Sequence, residues 1–248
     1  MNEPLTFEEM TLMRKSGKVA SKILKSLGFF IRPGRTTKDI EVFFERELEK
    51  YPGMEPAFKG FMGYPASLCV SVNEEVIHGI PSGRKISNGD LVSIDLGIKY
   101  KGLFVDTART YLVGKASPLA RKLARVTLKS LVAGISRLKP GNHLGDVSSA
   151  VQKTVEDNGF SVIRRFVGHG IGRALHVPPE VPNFGEKNSG PKLASGFAIA
   201  VEPMVSAGSY EVEILDDGWT ARTEDNSLAA HFEHTVAITD RGPWILTK

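Results

Sequence analysis

Read for its apolar and polar positions, the chain alternates between two textures. Apolar residues recur at helical spacing after Thr6, where Thr6 and Glu9 form a capping box, and the amphipathic stretch continues to about Leu27. Thr36 and Asp39 mark a second start ahead of IEVFFERELEKY, which Pro52-Gly53 closes. Ser117-Pro118 opens a third helix running toward Pro140-Gly141, and a fourth covers roughly Asp146 to Asn158 before Gly159. Elsewhere the pattern shortens. Leu91 to Ile94, Leu103 to Val105 and the run FAIAV are brief, contain β-branched residues and show no helical period, so they predict buried strands. The order is helix pair, strands, helix pair, strands.

The two helix pairs match residue by residue. At a fixed offset of 107, Arg14, Lys15, Val19, Lys22, Leu24, Pro33, Gly34, Asp39 and Glu49 coincide with Arg121, Lys122, Val126, Lys129, Leu131, Pro140, Gly141, Asp146 and Glu156. Amphipathic helices resemble one another by composition alone, but a Pro-Gly shared in register favours duplication. The same offset carries Asp95, at the end of one strand run, onto Glu202, at the end of FAIAV. Two halves related by a pseudo-twofold axis would bring acids from both to the centre.

Those acids are the chemically informative feature. The runs Leu91 to Ile94 and Leu103 to Val105 each end on an aspartate, Asp95 and Asp106. A carboxylate in a half-buried strand is penalised by desolvation unless something positive compensates it. With Tyr100 and Lys101 as the hairpin loop, the two aspartates face each other directly, where like charges repel. One explanation is a slipped register or an aspartate that caps a turn. The other is a divalent cation between the carboxylates, which needs further ligands. His169, in the glycine-rich VGHGIGRALHVP, and Glu233, in AAHFEHTVAI, supply candidates. Carboxylates with one imidazole make a hard, oxygen-rich set suited to manganese, iron(II), cobalt or zinc, and four carboxylates suit two divalent ions better than one.

Bulk properties narrow the class. With 248 residues, 41% hydrophobic and 24% charged, the chain is that of a soluble globular protein. No apolar run is long enough to span a membrane, and MNEPLTFEEM lacks the features of a signal peptide, so a cytoplasmic location is expected. The single cysteine, Cys69, excludes an internal disulfide. A net charge of +4 without a Lys/Arg block gives no argument for dedicated nucleic-acid binding.

Taken together, HGIPSG with His78, IDLG with Asp95, VDTART with Asp106, GHGIG with His169, EPM with Glu202 and FEHT with Glu233 resemble the methionine aminopeptidases, over nearly the whole chain. The 31-residue separation of Glu202 from Glu233 is similar to the type I subclass, since type II enzymes carry a long insertion there. The resemblance implies the α/β "pita-bread" fold with a central antiparallel sheet and two helix pairs, as one catalytic domain over residues 1–248 with pseudo-repeats at about 6–115 and 116–248. It implies that Asp95, Asp106 and Glu233 ligate one metal, and that Asp106, His169, Glu202 and Glu233 ligate the other. Glu202 would relay the proton of the attacking water, His176 would contact the substrate carbonyl, and His78 would lie near the scissile amide. The methionine pocket maps onto Phe58, Phe61, Tyr64, Cys69, Leu175 and Trp219.

Ala200, His231 and Phe61 depart from the family's usual residues without removing a ligand. The implied substrates are nascent polypeptides with a small, uncharged second residue, met during transient contact with the ribosome by a monomeric enzyme that has no membrane association. Proline-specific peptidases of the same fold are the nearest alternative. They carry an added N-terminal domain, for which the 94 residues before Asp95 are too few. A non-catalytic binding protein of this fold is disfavoured by the complete ligand set.

Overall fold

The computed structural model describes residues 3–248. Helix α1 (Phe7–Phe30) starts where expected: the Thr6 hydroxyl accepts the Glu9 N–H at 3.2 Å, and the Glu9 carboxylate accepts the Thr6 N–H at 2.8 Å. Helix α2 (Thr37–Leu48) has the same box from Thr36 and Asp39 and stops short of Tyr51, because a turn ending at Gly53, φ +78°, closes it. Strands β1 (Met54–Pro56), β2 (Cys69–Val72), β3 (Glu75–Ile77), β4 (Leu91–Tyr100) and β5 (Leu103–Leu112) follow. β4 is central, pairing antiparallel with β5 on one edge and with β2 and β1 on the other.

The β4–β5 register corrects the expectation for the aspartates. Asp95 lies opposite Ala108, and Asp106 opposite Gly97. The loop is Lys101-Gly102, with φ +51° and +78°. Two consecutive positive φ values give the twist that a tight hairpin requires, and glycine at the second position makes this turn inexpensive. Asp95 and Asp106 are therefore diagonal neighbours on one face of the hairpin.

Helices α3 (Pro118–Ile135) and α4 (Leu144–Glu156) open the second half. Then come β6 (Ser161–Val162), β7 (Gly168–Ile171), β8 (Val177–Val181), β9 (Ala198–Val201), β10 (Met204–Ser206), β11 (Val212–Ile214), β12 (Ala221–Thr223), β13 (Ala229–His231), β14 (His234–Thr239) and β15 (Gly242–Ile245). Antiparallel pairings order a sheet β15-β14-β9-β7-β8, and β3 from the first half joins β11 and β12 in a smaller one.

The offset of 107 recurs in the backbone. Gly34 N–H donates to Ile86 O at 2.9 Å and Gly141 N–H to Leu193 O at 3.0 Å, with the two glycines at φ +88° and +89°. Isolated bridges Thr36↔Lys85 and His143↔Lys192 obey the same offset. Each half thus packs its helix pair on its own strands. α1 buries Met13, Ile23 and Leu27 in one apolar cluster with Ile94, Leu96 and Ile98 of β4, while Leu131, Ile135 and Val147 of α3 and α4 meet Ile199, Val201 and Val236 of β9 and β14 in another. Gly17 lets α1 touch the C-terminal segment, since a Cβ there would fall 2.1 Å from Leu246 O. Among the described residues, no helix is long and apolar enough to cross a membrane.

The halves meet along β5 and β14. Thr235 Oγ1 accepts the Asp106 N–H at 2.8 Å and donates to Asp106 O at 2.7 Å. Thr107 Oγ1 donates to Glu233 O at 2.9 Å, and Glu233 N–H donates to Ala108 O at 3.0 Å. This seam fixes the backbone on which Asp106 and Glu233 stand.

Candidate active site

Five side chains converge at the seam. β4 presents Asp95, β5 Asp106 and β7 His169; Glu202 directly follows β9, and Glu233 sits between β13 and β14. Asp95, Asp106 and Glu233 offer oxygens within 4.8 Å of one another, as do ligand atoms of His169, Glu202 and Glu233. Asp106, His169 and His176 form a third such group. Asp106, His169 and Glu233 each belong to two of these groups, so the three groups form one continuous cluster.

The hydrogen bonding leaves these groups ready for a cation. Asp95 Oδ1 and Glu233 Oε1 are buried without a hydrogen-bond partner, a costly arrangement unless an ion is held there. Burial pushes the carboxyls of Asp95, Glu202 and Glu233 well above the usual range, and the charge of Asp106 raises each further. Burial also pushes Asp106 up, to about 7, against the opposing effect of its hydrogen bonds from Asp95 and the Thr107 N–H. His169 Nδ1 lies 3.0 Å from Gly170 O. A carbonyl only accepts, so Nδ1 carries the proton and Nε2 presents a lone pair. That Nε2 is 3.5 Å from Glu202 Oε1, but burial, then His176, lowers the imidazole to about 3, so the contact is between a neutral ring and an acid and is no ion pair. Clustered hard oxygens, orphaned carboxylate atoms and one oriented imidazole fit divalent cations.

The cluster forms one end of a cavity of about 280 Å³. Phe58, Phe61, Tyr64, Cys69, Leu175 and Trp219 line it, so the residues expected for a methionine pocket all stand around one space. Cys69 is the strand partner of Asp95, which joins this apolar wall to the acids. Burial, then Asp95, raises the Cys69 thiol, keeping it a neutral, soft wall group rather than a thiolate. Tyr64 meets Trp219 edge-on at 5.1 Å, and its hydroxyl donates to Gly79 O at 3.1 Å.

His78 and His176 also line the cavity. His78 sits at φ +60°, a conformation uncommon outside glycine, and burial lowers it to about 4. The His176 ring lies 4.0 Å from that of His169 and 5.0 Å from Phe61. Of the departures, His231 is buried beside Glu202, its Nε2 unpartnered and 3.9 Å from Oε2, while Ala200 lies within β9 and Phe61 in the lining. Sequence reasoning missed Met62, Ile77, Arg165, Phe166 and Val167 as lining residues. Their only signal is adjacency: Met62 follows Phe61, Ile77 precedes His78, and Arg165 to Val167 run into GHGIG.

The family model "Metallopeptidase family M24" matches residues 11–240. The chain belongs to this family. A methionine aminopeptidase of Clostridium perfringens is 51% identical over 239 residues, covering 96% of each chain, and methionine aminopeptidase 1 of Bacillus subtilis is 46% identical over 98% of each. The crystal structure of a methionine aminopeptidase from Thermotoga maritima superposes over the full length of both chains with a TM-score of 0.98 at 46% identity. Prolidase from Pyrococcus furiosus shares the fold at 23% identity and a TM-score of 0.80, with this chain covering 65% of its length. The M24 peptidase described here thus has the duplicated fold that its offset of 107 implies.

Proposed function

We infer that this protein is a methionyl aminopeptidase that hydrolyses the N-terminal methionine from nascent polypeptides. One observation carries the reading: the acid–histidine cluster opens directly onto a soft apolar pocket, the two sharing the Cys69–Asp95 strand pair. Asp95, Asp106 and Glu233 would hold one divalent ion, and Asp106, His169, Glu202 and Glu233 a second, with manganese, iron(II), cobalt and zinc all compatible with these donors. Ions bound there supply polarisation of the scissile carbonyl and acidification of a water.

The chain's own groups do the rest. Tyr64, Cys69, Trp219, Phe58, Phe61 and Leu175 receive the methionine side chain, whose thioether suits aromatic edges and a thiol. This anchors the first peptide bond beside the cluster, so orientation contributes to rate. Glu202 takes the water's proton and delivers it to the leaving amine. Burial lowers His78 to about 4, and partial desolvation lowers the exposed His176 as well, so each keeps one N–H donor, His176 for the carbonyl oxygen and His78 for the amide region. The two imidazoles crowd the space after the scissile bond, which supports a small, uncharged second residue.

The same reading makes the protein a cytoplasmic monomer. Its net charge of +4 supports passing contact with the anionic ribosome that delivers its substrates. The decisive test is hydrolysis of Met-Ala-Ser with added manganese or cobalt, beside an Xaa-Pro peptide and a metal-free control. Turnover of the first alone is expected, and cleavage of the Xaa-Pro peptide with Met-Ala-Ser intact refutes the assignment. Met-Leu-Ser should barely turn over, and a kcat/KM equal to that of Met-Ala-Ser refutes the restriction on the second residue.

A further inference from the structure

At its open side the cavity is bounded by its exposed lining residues, Met62, Arg165 and His176, whereas the pocket walls Phe58, Tyr64, Cys69 and Leu175 are buried. A peptide with its first side chain among the buried walls must leave past these three. Arg165 is the only lysine or arginine among the described lining residues. Its Nη1 donates to Val212 O at 3.3 Å, which steadies the guanidinium and leaves its other donors available. Among the described residues it takes part in no ion pair.

The neighbouring arginine shows the contrast. Arg164 stacks 4.2 Å from the centroid of the Tyr210 ring and 5.3 Å from that of Phe184, and its Nη2 lies 4.0 Å from a Glu156 oxygen. Arg164 is thus occupied by structure, and Arg165 is not. Arg165 precedes His169 by four residues, a chain span of at most about 14 Å, while the third and fourth residues of an extended peptide lie roughly 7–11 Å beyond the first.

We propose that Arg165 is a specificity-determining residue that recognises acidic side chains beyond the second residue of the substrate, so that the enzyme favours chains with Asp or Glu at position three or four. This rests on the aminopeptidase reading above. A guanidinium matches a carboxylate in geometry and charge, and an opposing lysine on the substrate meets repulsion. The contact forms equally in the bound substrate and the transition state, so the preference is carried by KM.

The test measures kcat/KM for Met-Ala-Xaa-Gly and Met-Ala-Ser-Xaa peptides, with Xaa as Asp, Asn or Lys. The peptides are C-terminally amidated to remove the terminal carboxylate. In at least one series the wild type should favour Asp over Asn by about 2- to 5-fold, the range of a solvent-exposed pair, and Asn over Lys. Added salt should compress that ratio. Arg165→Ala should bring the Asp/Lys ratio to about one, Arg165→Glu should invert it, and Arg165→Lys should retain its direction. Equal rates across both wild-type series, or an Asp/Lys ratio unchanged in Arg165→Ala and Arg165→Glu, overturns the assignment of Arg165 while leaving the aminopeptidase reading intact. Failure of the wild type to cleave any of these peptides with manganese or cobalt overturns that reading, and the role of Arg165 with it.

Discussion

Stripping divalent ions from the protein should lower its stability by an amount that depends on pH in a direction fixed by the acid cluster. Without a cation, Asp106 is raised from 3.8 to about 7, chiefly by burial. A carboxyl whose folded value exceeds its unfolded value favours folding fully below about pH 4 and loses that contribution as pH rises toward 7. Three units correspond to about 4 kcal/mol for this group alone, an upper bound because Asp106, Asp95, Glu202 and Glu233 share their protons. A bound cation reverses the sign: it holds the carboxylates ionised, and protons compete with it as pH falls. At a hundredfold excess over Kd the ion contributes about 2.7 kcal/mol, or about 5–11 °C in Tm for a chain of this size.

The assay is calorimetric melting of chelator-treated protein with and without saturating manganese at about pH 5, 6.5 and 8. Acids with lowered values outside the cluster, such as Glu9 paired with Arg173 and Asp39 capping α2, act alike in both samples and cancel in the difference. The manganese-induced rise in Tm should be small at pH 5 and largest at pH 8. A rise that is flat across this range, or larger at pH 5, refutes the claim that the clustered carboxylates are the ion's ligands.

Three substitutions probe the parts separately. Glu202→Gln should lower kcat for Met-Ala-Ser by roughly 10²–10⁴, the range of a lost acid–base group, with a circular dichroism spectrum unchanged; retention of full kcat removes Glu202 from the proton path. Thr235→Val deletes both hydroxyl bonds to the Asp106 backbone and leaves its buried N–H without a partner, so about 1–3 kcal/mol of stability should be lost in denaturant unfolding. Gly97→Ala places a Cβ 2.6 Å from Phe58 Cε1 and 2.8 Å from Ala57 Cβ, so the pocket wall must shift, and KM for Met-Ala-Ser should rise with about 1–3 kcal/mol of destabilisation.

Local chemistry was legible where a side chain's type conflicts with its surroundings. Aspartates ending apolar runs announced a compensating charge, and Thr6, Thr36 and Ser117 announced their helices. The hairpin register was not read correctly, although Lys101-Gly102 carries a turn signal: glycine accepts positive φ freely, while lysine at φ +51° gives no sign of its conformation beforehand. The hydroxyl of Thr235 was invisible for a different reason. Its partners lie 129 residues away, and only the closure of the two halves makes a strand threonine the clip that holds Asp106.

The duplication explains which features the sequence could reveal. Asp95 and Glu202 obey the offset of 107, whereas their partners Asp106 and Glu233 do not, because the second half inserts a segment carrying β11 and β12 between the paired strands β10 and β13, where the first half joins β4 to β5 by the Lys101-Gly102 turn alone. Val201 pairs with His234, so Glu202 and Glu233 stand just past the end of the β9–β14 ladder, at the seam where Asp95 and Asp106 arrive from β4 and β5. The symmetric part of the fold therefore builds the acid cluster. The inserted segment breaks the symmetry and carries Trp219, between β11 and β12, to the pocket. The placement of Asp95 and Glu202 repeats between the halves and can be found by comparing the chain with itself. The pocket occurs once: it takes Phe58, Phe61, Tyr64 and Cys69 from the first half, and it is completed only when the inserted strands bring Trp219 against Tyr64.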